Sequence, residues 1–116
     1  MATTILIVDD SRVSRMMITA IVKDTQPGWT IIEAGNGDDA VAAAEGQTIE
    51  HMILDYNMPG MNGLELAEIL TKNHPDACIT LLTANVQDSI RQQASAMGVN
   101  FKDKPITDEK IRAVIE

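Results

Sequence analysis

With 116 residues, 45% of them apolar, the chain can build one hydrophobic core and is too apolar for a disordered acidic tail, despite a formal net charge of −8. That charge argues against direct nucleic-acid binding, which needs a basic patch, and it suits divalent cations and basic partners. No apolar run approaches the ~20 residues of a membrane span and no leader of basic then apolar residues follows Met1, so a cytoplasmic protein without membrane contact is expected. Cys78 is the sole cysteine, which rules out an internal disulfide. In the apolar run Cys78 to Leu82 it reads as a small buried thiol.

Ile5-Leu6-Ile7-Val8 is aliphatic at every position, the pattern of a strand buried on both faces of a helix-covered parallel sheet. Asp9-Asp10 closes it. Ser11 or Asp10 can cap the helix that follows, in which Val13, Met16, Met17, Ala20 and Ile21 recur at helical spacing, and Gln26-Pro27-Gly28 ends the unit. Thr30 to Ala34 is a shorter second strand, and Gly35-Asn36-Gly37 a turn. Asp38 and Asp39 then occupy the first turn of a helix, where the dipole favours acids, with Ala40, Val41 and Ala44 as its buried stripe and Gly46 as its stop.

A third strand, Met52 to Leu54, is stopped by Asp55, and Asn57, Pro59 and Gly60 break the chain after it. Asn62 caps the next helix, Leu64, Ala67, Ile69 and Leu70 pack it, and His74-Pro75 ends it. The fourth strand runs from Cys78 to about Thr83. Val86, Ile90, Ala94 and Met97 share one face of the helix that follows, which stops at Gly98. Val99 to Phe101 is a short fifth strand, followed by Lys104-Pro105. Thr107 caps a last helix with Asp108 and Glu109 in its first turn and Ile111, Val114 and Ile115 on its apolar side. These are five strand-then-helix units, and each crossover has the length for a parallel return. The fold class expected is a single doubly wound α/β domain over residues 1–116, with a five-stranded parallel sheet of flavodoxin-like strand order.

Parallel strands bring their carboxyl ends to one edge, so Asp9, Asp10 and Asp55 can meet in one acidic pocket. Two unit charges ~4 Å apart repel by about 4 kcal/mol at an effective dielectric of about 20, so three carboxylates either raise a pKa or recruit a cation. Oxygen ligands with room for water suit Mg²⁺ or Mn²⁺. Thr83 adds a hydroxyl and Lys104 a positive charge. Such a pocket suits a phosphoryl group, and one carboxylate can itself be the nucleophile. Spacing alone leaves open which acid attacks.

Taken together, Ile7-Val8-Asp9-Asp10-Ser11, Leu54 through Gly63 (Leu-Asp-Tyr-Asn-Met-Pro-Gly-Met-Asn-Gly), Leu82-Thr83-Ala84 and Lys104-Pro105 resemble the receiver domains of two-component response regulators, most closely the single-domain, chemotaxis-type (CheY-like) kind. The resemblance spans essentially the whole chain. It implies that Asp55 is the phosphoacceptor, taking a phosphoryl group from a sensor histidine kinase or phosphotransfer protein. It implies that Asp9, Asp10 and Asp55, with the backbone carbonyl of Asn57, hold Mg²⁺. Thr83 would bind the phosphoryl oxygens, Lys104 would pair with Asp55 or its phosphate, and the Lys104-Pro105 peptide would be cis. Thr83 and Phe101 would form the switch. Phe101 stands where many relatives carry Tyr and lacks the hydroxyl. The output partner would bind the fourth helix, fifth strand and fifth helix, here Val86 to Glu116. A monomeric signalling switch, not a turnover enzyme, is expected.

The rival readings are weaker or of a different scope. A metal-dependent aspartyl-phosphate phosphatase of the haloacid dehalogenase type needs an Asp-x-Asp pair, whereas these acids are adjacent. A flavodoxin-like FMN carrier needs a Ser/Thr/Gly-rich phosphate loop where Asp9-Asp10-Ser11-Arg12 stands. A receiver cut from a larger regulator or hybrid kinase stays open, since the chain stops within its last helix. His51 and His74 read as surface histidines, the methionines as packing, Trp29 as a partly buried anchor and Tyr56 as a pocket rim.

Overall fold

The aliphatic runs form a five-stranded parallel sheet in the order β2-β1-β3-β4-β5. The computed structural model describes residues 3–116. Met1 and Ala2, on which part of the reading of a missing leader falls, lie outside them. Strands β1 (Thr4–Val8), β2 (Thr30–Ala34), β3 (His51–Leu54), β4 (Cys78–Thr83) and β5 (Asn100–Asp103) alternate with helices α1 (Arg12–Thr25), α2 (Gly37–Ala44), α3 (Gly63–Asn73), α4 (Asp88–Ala96) and α5 (Asp108–Ile115). The fold is the expected doubly wound one.

Side chains alternate across a strand, and this alternation sorts the aliphatic residues into two cores. Ile5, Ile7, Ile53 and Leu82 meet Ile18 and Val22 of α1 and Ile111 and Ile115 of α5. Leu6, Val8, Met52, Leu54 and Leu81 meet α2, α3 and α4 through Ala40, Ala44, Leu66, Leu70, Ile90 and Ala94. Past their first residues, β1 and β3 therefore carry no polar position until they reach their carboxyl ends, while β4 carries the buried Thr80. The caps expected at Ser11, Asn62 and Thr107 form, and Asn36, read as part of a turn, caps α2 as well; each accepts a backbone N–H from the first turn of its helix.

Five local expectations fail. The buried side of α1 is Ile18 and Val22, whereas Val13, Met16 and Met17 are 66%, 61% and 45% exposed. The helix carries two apolar stripes, and the one that docks is the stripe that also contains Arg15, whose guanidinium reaches the sheet edge. Cys78 is exposed, because it is the first residue of β4 and burial begins at Ile79. Val86 is exposed, because α4 starts only at Asp88 and Val86 lies in the preceding loop. The fifth strand begins after Val99, which is buried and donates its N–H to Ala94 O, and it extends to Asp103. His51 is half-buried and stacked on Trp29, with ring centroids 4.9 Å apart. Burial pulls its pKa below the ordinary value, against the opposing charge of Glu50.

The two stripes of α1 make a direct test. The double substitution Met16→Lys, Met17→Lys is expected to change stability by no more than about 0.5 kcal/mol. Ile18→Ala is expected to cost about 2–5 kcal/mol. Urea unfolding of the three proteins measures both.

Candidate functional site

β1 and β3 are neighbours with Val8 opposite Leu54, so the residues that follow them, Asp9 and Asp55, emerge side by side. The Asp55 N–H continues the ladder to Val8 O at 2.9 Å. The successive connections leave β1 for β2 on one side and β3 on the other, so this is the crevice where strand order reverses. Asp9 and Asp55 are buried and Asp10 is exposed, and carboxylate oxygens from all three lie within 4.8 Å of one another.

Lys104 comes from the loop after β5. Its Nζ lies 2.9 Å from Asp9 Oδ2 and 3.7 Å from Asp55 Oδ1, so it pairs more closely with Asp9 than with the acid expected to hold it. Its backbone N–H donates to Thr83 O at 2.9 Å, and the Lys104-Pro105 peptide is cis. Thr83 is fully buried, and its hydroxyl accepts the Asn85 N–H at 3.1 Å. Asn57 is exposed in the loop two residues past Asp55. Phe101 is half-buried, opposite Leu81 in the register, with the Arg91 guanidinium 4.6 Å from its ring centroid. Met61 is partly buried and Met58 buried, both against the core that contains α3.

Burial, then the charge of Asp9, pushes the Asp55 carboxyl up to about 6, while Lys104 and the Tyr56 N–H pull it back. That N–H donates to Asp55 Oδ1 at 2.9 Å. The loop behind Asp55 is tightly fixed. Gly63 N–H donates to Tyr56 O at 3.0 Å, and a Cβ on Gly63 would overlap the Asp55 carbonyl oxygen and the Leu81 side chain. Glycine is required there for close approach, not for an unusual φ. Asn62 and Glu65 close a reciprocal capping box at the start of α3.

Two participants escaped the sequence reading. Lys110 of α5 donates to the carbonyls of Asp103 and Pro105 at 2.9 and 3.3 Å and so braces the loop that carries Lys104. Arg15 of α1 donates to the Asp9 carbonyl at 2.5 Å and pairs with Glu33 of β2 at 3.3 Å. Its signal was its spacing: Arg15 stands three residues before Ile18 and seven before Val22, on the docked stripe. As a donor set, three converging carboxylates are hard oxygen ligands of the kind a Mg²⁺ or Mn²⁺ ion takes.

The family described as the response regulator receiver domain matches residues 5–116. The chain belongs to this family. It is 38% identical over 112 residues to the cyclic di-GMP phosphodiesterase response regulator RpfG of Xanthomonas campestris pv. campestris, covering 94% of this chain and 30% of that protein. It is 34% identical over 116 residues to a probable chemotaxis protein CheY of Rhizobium etli, covering 97% of this chain and 88% of that one. A solved response regulator from Burkholderia pseudomallei, described with a phosphorylated aspartic acid, calcium ion and citrate, superimposes with a TM-score of 0.88 at 27% identity, covering 98% of this chain and 66% of that one. This is a CheY-like receiver of two-component signalling. Among the described residues, no helix is long and apolar enough to cross a membrane.

The raised Asp55 pKa has a consequence for stability. The folded state holds the Asp55 proton more tightly than the unfolded chain, whose carboxyl titrates near the ordinary 3.8. Protonated Asp55 therefore favours the fold, and that advantage is lost as pH rises from about 4 to about 6. In metal-free buffer at pH 7.5, Asp55→Asn is expected to be more stable than the parent by about 1–2 kcal/mol, less than the full shift implies because water reaches the pocket. The difference should shrink toward pH 4. Urea unfolding across that range checks it.

Proposed function

We propose that the chain is a phosphorylation-controlled switch in which Asp55 accepts a phosphoryl group. The observation that carries this reading is the setting of Asp55: a buried carboxylate at a strand end, facing Asp9 and Asp10, with the Lys104 ammonium at 3.7 Å. A carboxylate oxygen of Asp55 attacks the phosphorus of a phosphohistidine on a sensor kinase or phosphotransfer protein. The P–N bond breaks as the O–P bond forms, and the imidazole leaves with the bond's electron pair.

Asp9, Asp10 and Asp55, with the Asn57 carbonyl, would hold Mg²⁺, which when bound supplies positive charge to the phosphoryl oxygens. Lys104 supplies the protein's own positive charge, moving from Asp9 toward the new phosphate. Thr83 exchanges its Asn85 amide for a phosphoryl oxygen. The backbone bond from Lys104 to Thr83 ties those two movements together. Phe101 then repositions, and the surface of α4, β5 and α5 changes for an output partner.

The exposed Val13, Met16 and Met17 on α1, a few residues past Asp10, offer the donor protein an apolar surface beside the pocket. The phosphorylated aspartate named for the Burkholderia pseudomallei relative supports the chemistry. A second reading concerns scope. Because the chain spans 30% of RpfG, its switch can equally serve as the input domain of a larger regulator.

Intact mass after incubation with acetyl phosphate tests the chemistry. One phosphoryl adduct is expected, dependent on Mg²⁺ and absent from Asp55→Asn; a stoichiometric adduct on that variant would overturn the assignment. The Met16→Lys, Met17→Lys protein should react with acetyl phosphate as the parent does and be slower, by about tenfold or more, with a phosphorylated histidine kinase. Equal rates with the kinase would remove α1 from the donor contact.

A further inference from the structure

We infer that Arg15 is a positioning residue for the acidic pocket, acting through the main chain of Asp9 and Asp10. The inference rests on the reading of that pocket as a Mg²⁺ site and adds a residue to it that touches none of the carboxylates.

Every polar group of Asp9 is tied. Its N–H donates to Ala34 O at 3.2 Å. Its Oδ1 accepts from Ser11 N–H at 2.9 Å and its Oδ2 from Lys104 Nζ at 2.9 Å. The fourth group, the carbonyl, accepts from Arg15 Nη1 at 2.5 Å. That carbonyl belongs to the peptide that joins Asp9 to Asp10. Asp10 is exposed, and the orientation of this peptide sets the backbone position from which its carboxylate reaches the pocket. Arg15 is itself held: its side chain is 19% exposed, and its Nε pairs with Glu33 Oε1 at 3.3 Å. The guanidinium thus spans from α1 to β2 and fixes the turn between β1 and α1 from behind. A planar fork with several donors can serve both partners at once, which an ammonium cannot do in the same geometry.

Positioning and simple electrostatics predict opposite results. Arg15 places a positive charge close to the pocket, so removing that charge should tighten the binding of a cation. Removing the clamp on the Asp9–Asp10 peptide should weaken it. Outer residues that orient metal ligands are worth roughly 10–100-fold in affinity.

The test is calorimetric titration of Mg²⁺ into the intact parent, Arg15→Ala, Arg15→Lys, Glu33→Gln and, as a control for destabilised α1 packing, Ile18→Val. Arg15→Ala is expected to weaken Mg²⁺ binding about tenfold, with partial recovery in Arg15→Lys, a smaller loss in Glu33→Gln and none in Ile18→Val. In the acetyl phosphate reaction, Arg15→Ala should need correspondingly more Mg²⁺ for half-saturation and reach a plateau rate close to the parent's. Unchanged or tighter Mg²⁺ binding by folded Arg15→Ala overturns the role of Arg15. Should that variant not fold, parent-like affinity in both Arg15→Lys and Glu33→Gln overturns it equally. A parent chain that binds no Mg²⁺ overturns the metal pocket itself, a distinct outcome.

Discussion

Three carboxylates brought together at the end of two adjacent strands repel one another, and much of the structure around them answers that repulsion. At an effective dielectric of about 20, two full charges ~4 Å apart oppose each other by about 4 kcal/mol. The chain offsets this with one cation and two backbone amides. Lys104 lies between Asp9 and Asp55, Ser11 N–H donates to the first, and Tyr56 N–H to the second. Burial first, and then the charge of Asp9 that these partners leave uncompensated, push the Asp55 carboxyl up to about 6. A pocket left short of positive charge in this way suits the cation proposed for it, and the same shortage argues against a resting phosphate.

Holding the charges there takes a rigid support. The two aliphatic cores lock β1 and β3 in register from Ile5 and His51 to Val8 and Leu54, so the positions of Asp9 and Asp55 follow from the sheet. Beyond the sheet, the loops are fixed individually. Gly63 presses the start of α3 onto the Asp55 carbonyl, and Lys110 gathers the carbonyls around Lys104. Arg15 does the same behind Asp9. The contacts that aim the pocket's side chains thus come from α1, α3 and α5 as well as from the strands.

The sheet and the pocket were legible because their signals are local. A strand apolar at every position, as Ile5 to Val8 is, has few alternatives to a buried parallel strand, and an acid at its end has few places to go. Failures arose where two solutions satisfied the same period. In α1, Val13, Met16, Met17 and Ala20 make as good a stripe as Ile18 and Val22; the one that docks packs Ile18 and Val22 against β1, β3 and α5 and brings Arg15 to Asp9 and Glu33. Cys78 and Val86 failed because burial of a terminal residue depends on where the element emerges, which hydropathy does not encode. Lys110 was hidden because it recognises backbone carbonyls, and a lysine near a helix start carries no mark of that.

Phe101 shows how a departure in one residue can be met by another. A tyrosine at this position could fix its ring by a hydroxyl hydrogen bond; phenylalanine cannot. Here the guanidinium of Arg91 lies over the ring at 4.6 Å, a cation–π contact worth about 0.5–1 kcal/mol at an exposed site. That is small enough for phosphorylation to reverse and large enough to bias where the ring rests. In the proposed switch, Thr83 and Lys104 sense the phosphoryl group at the ends of β4 and β5, and Phe101 sits on β5 between them and α4. In that proposal the ring would exchange one set of packing neighbours for another, and Arg91, on the proposed output face, would move with it. A partner reading that face would meet a displaced cation, a signal that an uncharged ring on its own does not carry.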